Sequence, residues 1–154
     1  MSKGNPSIDI YVAEGQTDIC LCSPGWSYFP NTGRCYKHFP ESRTWVNARS
    51  FCLAFAQNYG DLASIPDQAT NDFLTTLSTD KSYIGASDAE SEGTWKWTDG
   101  TPWSFENWAP GQPNNYLGPQ MFGAINFNGG VGPWNDDESS DPQPFFCQYD
   151  LGKF

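Results

Sequence analysis

The sequence predicts a single α+β domain of short strands, two modest helices and much ordered loop. Three observations point there. Trp, Tyr and Phe number 7, 7 and 11 among 154 residues, so the core must rest on ring packing. Fifteen Gly and twelve Pro supply turn chemistry along the whole chain. Helical spacing of apolar residues occurs in only two windows, with strand-like runs elsewhere. A chain of this length buries roughly two-thirds of its unfolded surface, enough for one domain.

Residues 1–19 show little periodicity and read as an extension ending in a strand at Ile8–Val12, with the domain proper at 20–150 and a short tail at 151–154. Trp26 to Phe39 reads as a hairpin. A helix beginning at Ser42 carries Trp45, Ala48, Cys52 and Phe55 on one face and ends near Tyr59-Gly60. Leu62-Ala63-Ser64-Ile65 is a short bridge. Pro66 opens a second helix, with Ser64 as its expected cap and Phe73, Leu74 and Leu77 facing inward. Tyr83–Ala86 reads as a buried strand and Thr94–Thr98 as an alternating one closed by Asp99-Gly100. From Thr101 to Gly118 the chain is rich in Pro and Gly and lacks period, the mark of a functional loop. Strand character resumes at Met121–Phe127 and Gly132–Trp134, and Pro144–Tyr149 closes the sheet.

A net charge of −10 argues against nucleic acid, which is bound by Lys and Arg on phosphates, and against anionic membrane surfaces. No apolar run approaches a membrane span. The polar start Met1–Pro6 lacks the apolar stretch of a signal peptide. Cysteine usage nevertheless favours export, so the expectation is a secreted protein whose leader was removed.

Cysteines stand at 20, 22, 35, 52 and 147. Cys22 and Cys35 bracket a strand–turn–strand pattern that would face the sulfurs across a hairpin. A bond between Cys52 and Cys147 would close a loop of nearly a hundred residues, worth ~4–5 kcal/mol in the entropic model. Free thiols and zinc are the alternatives. Zinc would want close CxxC pairs or nearby His, whereas only Cys20-Leu21-Cys22 and His38 are present. Cys20 is left over, free, exchanged with Cys22, or linking two chains as a homodimer.

Two clusters of side-chain oxygens stand out: Gln112-Pro113-Asn114 and Trp134-Asn135-Asp136. Oxygen-only ligands suit a hard cation such as calcium. Amides in such a shell keep further donors and lone pairs for a neighbouring hydroxyl, so the pair suggests a seat for a sugar diol.

The order of these motifs resembles the C-type lectin-like domain family, in a style similar to secreted nematode members, over about residues 20–150. The matching landmarks are Cys22…Gly25-Trp26…Cys35-Tyr36, the helix with Trp45, Ala48 and Cys52, Leu62–Ile65, Tyr83–Ala86, Gly93–Gly100, Trp108, Gln112-Pro113-Asn114, Trp134-Asn135-Asp136 and Phe146-Cys147. The resemblance implies two helices beside two small antiparallel sheets, a long loop bearing a calcium site, and disulfides Cys22–Cys35 and Cys52–Cys147. Carried over by position, the principal calcium would be held by Gln112, Asn114, Gln120, Asn135 and Asp136, with a cis peptide before Pro113. Gln120 stands where sugar-binding members carry a glutamate. Gln-Pro-Asn matches neither the Glu-Pro-Asn of mannose-type binders nor the Gln-Pro-Asp of galactose-type binders. A short disulfide beside the site is replaced by Phe122 and Ser139. An auxiliary calcium position aligns with Asp88 and Glu92, but its remaining positions fall on Asn115, Gln120 and Met121, which do not complete it.

Only Asp136 among the five implied ligands is a carboxylate, which places calcium affinity at the weak end, ~10⁻⁴–10⁻³ M. Asp137 and Glu138 would add charge if their loop bends inward; the plainer reading is solvated surface acids. Gln112, Asn114, Asn135 and Asp136 are the expected sugar contacts, with Tyr116 the best-placed ring to stack on a sugar, ahead of Trp103, Phe105 and Phe122. Trp95, Trp97, Trp108 and Trp134 read as core. The function expected is a calcium-dependent lectin for glycans with mannose-type or galactose-type vicinal hydroxyls. The alternative is a lectin-like module for a protein, lipid or ice surface without metal. One His, expected at the surface, and no facing acid pair leave no basis for an enzyme.

Overall fold

The hairpin that opens the domain is built as its sequence dictates. Strand β3 (Ser27–Phe29) turns through Pro30–Gly33 into β4 (Arg34–Arg43). Gly33, at φ +71°, donates its N–H to the Phe29 carbonyl at 2.9 Å, a left-handed position that glycine takes without steric cost. The computed structural model describes residues 11–12, 19–20, 22–115, 120–138 and 140–151, with side chains from residue 22 onward. Ahead of the hairpin, β1 (Tyr11–Val12) and β2 (Ile19–Cys20) pair antiparallel as a separate two-stranded ribbon.

Helix α1 (Trp45–Leu53) starts and stops inside the span expected for it. Ser42 belongs to β4, and Thr44 is the cap, its hydroxyl accepting from Asn47 N at 3.3 Å. The helix ends at Leu53 rather than Tyr59, because Ala56, Gln57 and Asn58 all adopt positive φ. Gly60 then folds back so closely that a Cβ there would lie 2.2 Å from the Cys52 carbonyl oxygen. Strand β5 (Asp61–Leu62) leads to α2 (Gln68–Leu77). Its cap is Asp67, whose carboxylate accepts from Thr70 N at 2.8 Å. Ser64 is not the cap: its hydroxyl donates to Asp99 at 2.7 Å and accepts from Arg34 at 2.8 Å.

The remaining strands are β6 (Ser82–Ser87), β7 (Lys96–Trp97), β8 (Phe122–Ile125), β9 (Trp134–Asp137) and β10 (Gln143–Asp150). The two antiparallel groups expected are β3-β4-β10 with β5, and β6-β8-β9 with β7. A parallel pairing of Phe145 with Tyr83 joins them into one path. Two disulfides staple the frame, Cys22–Cys35 with Cα atoms 5.8 Å apart and Cys52–Cys147 with Cα atoms 5.3 Å apart. The Cys20 side chain lies outside the described residues, so the structure does not bear on the homodimer expected through it.

Trp134, fully buried, anchors the part of the core nearest the long loop. Its indole N–H donates to Asn71 Oδ1 at 2.7 Å, which satisfies a donor that burial would otherwise penalise. The rings of Trp97, Trp103, Phe105 and Trp108 lie edge-on or tilted around it, with centroids 5.6–6.0 Å away. Trp95 and Trp97 are buried as expected, whereas Trp108 is half-buried. Trp103 and Phe105, half-buried, also pack on this cluster. Phe122 is buried too, stacked on Trp45 at 4.0 Å. His38 is half-buried rather than superficial, against the Phe146 ring, and that burial lowers its pKa.

Candidate cation and ligand site

The long loop between β7 and β8 is pegged to β9 by backbone. Trp134 N donates to the Asn107 carbonyl at 2.9 Å, and Ala109 N donates to the Trp134 carbonyl at 2.8 Å. The next residues of each segment, 112–114 and 135–136, are thereby brought to one rim. The Gln112–Pro113 peptide is cis, as expected.

Asp136 is the hub of this rim. It is 1% exposed, and its two carboxylate oxygens accept from Asn114 N at 3.0 Å and Asn115 N at 2.9 Å. Both bonds are charge-assisted and fix the loop in register. Each oxygen retains a lone pair after this. Asn115, at φ +52°, extends the tether: its Oδ1 accepts from Gln120 N at 3.0 Å and its Nδ2 donates to Glu92 at 2.7 Å.

A cavity of about 330 Å³ opens at this point, walled by Gln112, Asn114, Gln120, Asn135 and Asp136. The structure thus brings together all five residues that sequence reasoning named for a metal. Two of their oxygens are conspicuous. Gln112 Oε1 and Asn135 Oδ1 are buried and have no hydrogen-bond partner among the described residues. Asn135 Nδ2 donates to the Asp136 carbonyl at 2.9 Å, which fixes the amide's orientation. A buried unpaired acceptor costs about 1–3 kcal/mol, and both of these belong to residues on the cavity wall, where a cation or donor reaching them would relieve that cost. The donor set is all oxygen and mostly neutral, which fits a hard divalent cation of the calcium type. No three carboxylate, His or Cys side chains converge on a common point among the described residues; such an ion would rest on amides.

Three further residues wall the same cavity: Lys81, Phe127 and Asp137. Asp137 is not a solvated surface acid. It is 8% exposed, and its Oδ2 lies 2.6 Å from Lys81 Nζ and accepts from Gln143 Nε2 at 2.8 Å. Glu138 does remain exposed, accepting from the Ser140 hydroxyl. Lys81 and Phe127 had no signal in the sequence, since they precede and follow strands and belong to no motif. Tyr116 and Ser139 lie outside the described residues. At the auxiliary position, Asp88 Oδ1 is buried without a partner among the described residues, while Oδ2 accepts from Gly93 N at 2.9 Å. Burial first, then the nearby charges of Glu92 and Asp136, raise its pKa.

Comparison with known proteins bears on the fold. Residues 41–149 match the family model described as Lectin C-type domain. The C-type lectin lectoxin-Lio3 of Erythrolamprus poecilogyrus is 35% identical over 132 residues, covering 82% of this chain and 80% of that protein. Among solved structures, the cow C-type carbohydrate-recognition domain of CD23, determined in the presence of GlcNAc2Man3 oligosaccharide, superposes with a TM-score of 0.74 at 30% identity, over 84% of this chain and 96% of that one. A calcium-independent type II antifreeze protein superposes equally well, with a TM-score of 0.74 at 26% identity, over 84% of this chain and 94% of that one.

Proposed function

The chain belongs to the C-type lectin domain family, and we propose that within it this protein is a calcium-dependent carbohydrate-binding lectin. The observation that supports the reading is a pair of buried amide oxygens with no partner among the described residues, Gln112 Oε1 and Asn135 Oδ1, on residues that wall one cavity with Asp136. Members of this family are binding proteins rather than enzymes. Gln112, Asn114, Gln120, Asn135 and Asp136 would hold the ion. Calcium bound there supplies positive charge and open coordination positions for two vicinal hydroxyls.

The chain's own groups do the rest. Asp136, through its two backbone tethers, fixes the distance between the Gln112–Asn115 segment and β9. Gln112 and Asn114 carry amides that can present either end to a hydroxyl, while Asn135, held through its Nδ2, offers only its oxygen, so the set favours neither mannose-type nor galactose-type diols. A site that contacts so small a ligand gives weak single-site affinity, and useful avidity comes from clustering. The two disulfides fit an oxidising, extracellular setting, where a cation affinity in the ~10⁻⁴–10⁻³ M range suffices. Among the described residues no helix is long and apolar enough to cross a membrane.

A second reading is supported by one observation, the likeness to a calcium-independent antifreeze protein: a metal-free module for a protein, lipid or ice surface. Retention on immobilised mannose and galactose, with calcium and with chelator, separates the two. Retention that chelator abolishes supports the lectin. Failure to bind either matrix in calcium, or binding that chelator leaves unchanged, rejects it.

A further inference from the structure

We propose that Lys81 makes this site selective for acidic glycans, those carrying a carboxylate or sulfate beside the diol. This rests on the calcium-dependent reading and names the ligand class of that same site. Lys81 stands immediately before β6, outside the set of implied ligands, yet its side chain walls the same cavity as Gln112, Asn135 and Asp136. Its ammonium lies 5.9 Å from the centre of the Phe127 ring and 2.6 Å from Asp137 Oδ2, and the side chain is 34% exposed. An ammonium carries three donors. Asp137 takes one of them, and a ligand in the cavity can take another.

Charge points the same way. Three charged side chains wall the cavity among the described residues: Lys81, Asp136 and Asp137. Their formal sum is one positive and two negative, or −1. A divalent cation changes this to +1. Asp136, tethered by two backbone N–H groups, and Asp137, held by Lys81 and Gln143, are both already counted in that sum, so the wall supplies no further negative charge. A neutral sugar adds no charge to the wall; a carboxylate or sulfate offsets the excess there. Lysine, a compact point charge, serves either anion without demanding the planar fork of a carboxylate. The same ammonium opposes entry of the cation, so its removal should strengthen calcium binding.

The test is calorimetry of wild type, Lys81→Met and Lys81→Arg in saturating calcium. Methyl glucoside and methyl galactoside serve as neutral probes, methyl glucuronide and methyl galactoside 6-sulfate as their acidic counterparts. The acidic-to-neutral affinity ratio within each variant cancels any general change in calcium loading or stability. In the wild type an acidic probe should bind about ten-fold tighter than its neutral counterpart, the worth of one charge-assisted contact. That preference should vanish in Lys81→Met, persist in Lys81→Arg, and be accompanied in Lys81→Met by tighter calcium binding in sugar-free buffer. Equal affinities in the wild type, or a preference that survives Lys81→Met, overturns the inference while calcium-dependent neutral binding leaves the lectin reading standing. No calcium binding and no response to any probe overturns both.

Discussion

Replacing Asp136 by Asn is the most informative single perturbation. The aspartate receives two backbone N–H groups, from Asn114 at 3.0 Å and Asn115 at 2.9 Å, at a site 1% exposed. Asparagine keeps the shape but offers one oxygen, so one N–H faces an NH₂ and loses its acceptor. A hydrogen bond to a charged group contributes about 1.5–3 kcal/mol, and the surviving bond falls to the neutral range of about 1 kcal/mol. The combined loss is about 3 kcal/mol. At about 2–4 °C per kcal/mol for a domain of this size, the melting temperature in chelator should fall by about 6–12 °C. The same change removes the one carboxylate among the implied ligands, so calcium should no longer raise the melting temperature. Differential scanning calorimetry with chelator and with 10 mM calcium, about ten times the weak end of the expected range, reads both effects. Exposed Glu41→Gln serves as control. A variant melting like the wild type in chelator and still stabilised by calcium would refute the reasoning.

Two other perturbations follow. Gln120→Glu or Gln112→Glu adds a second carboxylate to the cavity wall and should tighten calcium binding about ten-fold, read by calorimetric titration; unchanged affinity would mean these side chains do not reach the ion. Asp99 tests the scaffold. Burial alone would raise its pKa, but hydrogen bonds from the Ser64 hydroxyl, Thr101 N and Gln148 Nε2 outweigh it and hold the group below its ordinary 3.8. A depressed carboxylate contributes stability that is present above the unfolded pKa and lost as pH falls through the folded one. Asp99→Asn should therefore destabilise at pH 7 and lessen the further loss of stability below about pH 4, measured by denaturant titration at each pH. An unchanged acid slope would contradict the assignment.

What was legible in the sequence was what local chemistry dictates. The hairpin at Gly33 and the two oxygen clusters follow from residue type and order, while the cysteine pairing and the buried Trp134 come from the family resemblance. Helix α1 is shorter than its apolar spacing, which continues to Phe55, because three positive-φ residues and the close approach of Gly60 to Cys52 end it earlier. Ser64 looked like a cap because it precedes Pro66, but a tertiary partner, Asp99, claims its hydroxyl. The side chains missed at the site share one cause. Lys81 and Phe127 reach the cavity only through the pairing of β6 with β8, and Asp137 turns inward because Lys81 and Gln143 await it. These contacts span sequence separations that no local pattern records.

The central claim is that neutral amide oxygens and one carboxylate hold calcium at the rim of this fold. Titrating calcium into chelator-stripped wild-type protein by isothermal calorimetry tests it directly. Saturation of one site with a Kd of about 10⁻⁴–10⁻³ M, lost in Asp136→Asn, is the result the structure predicts. A flat titration far beyond that concentration would contradict it.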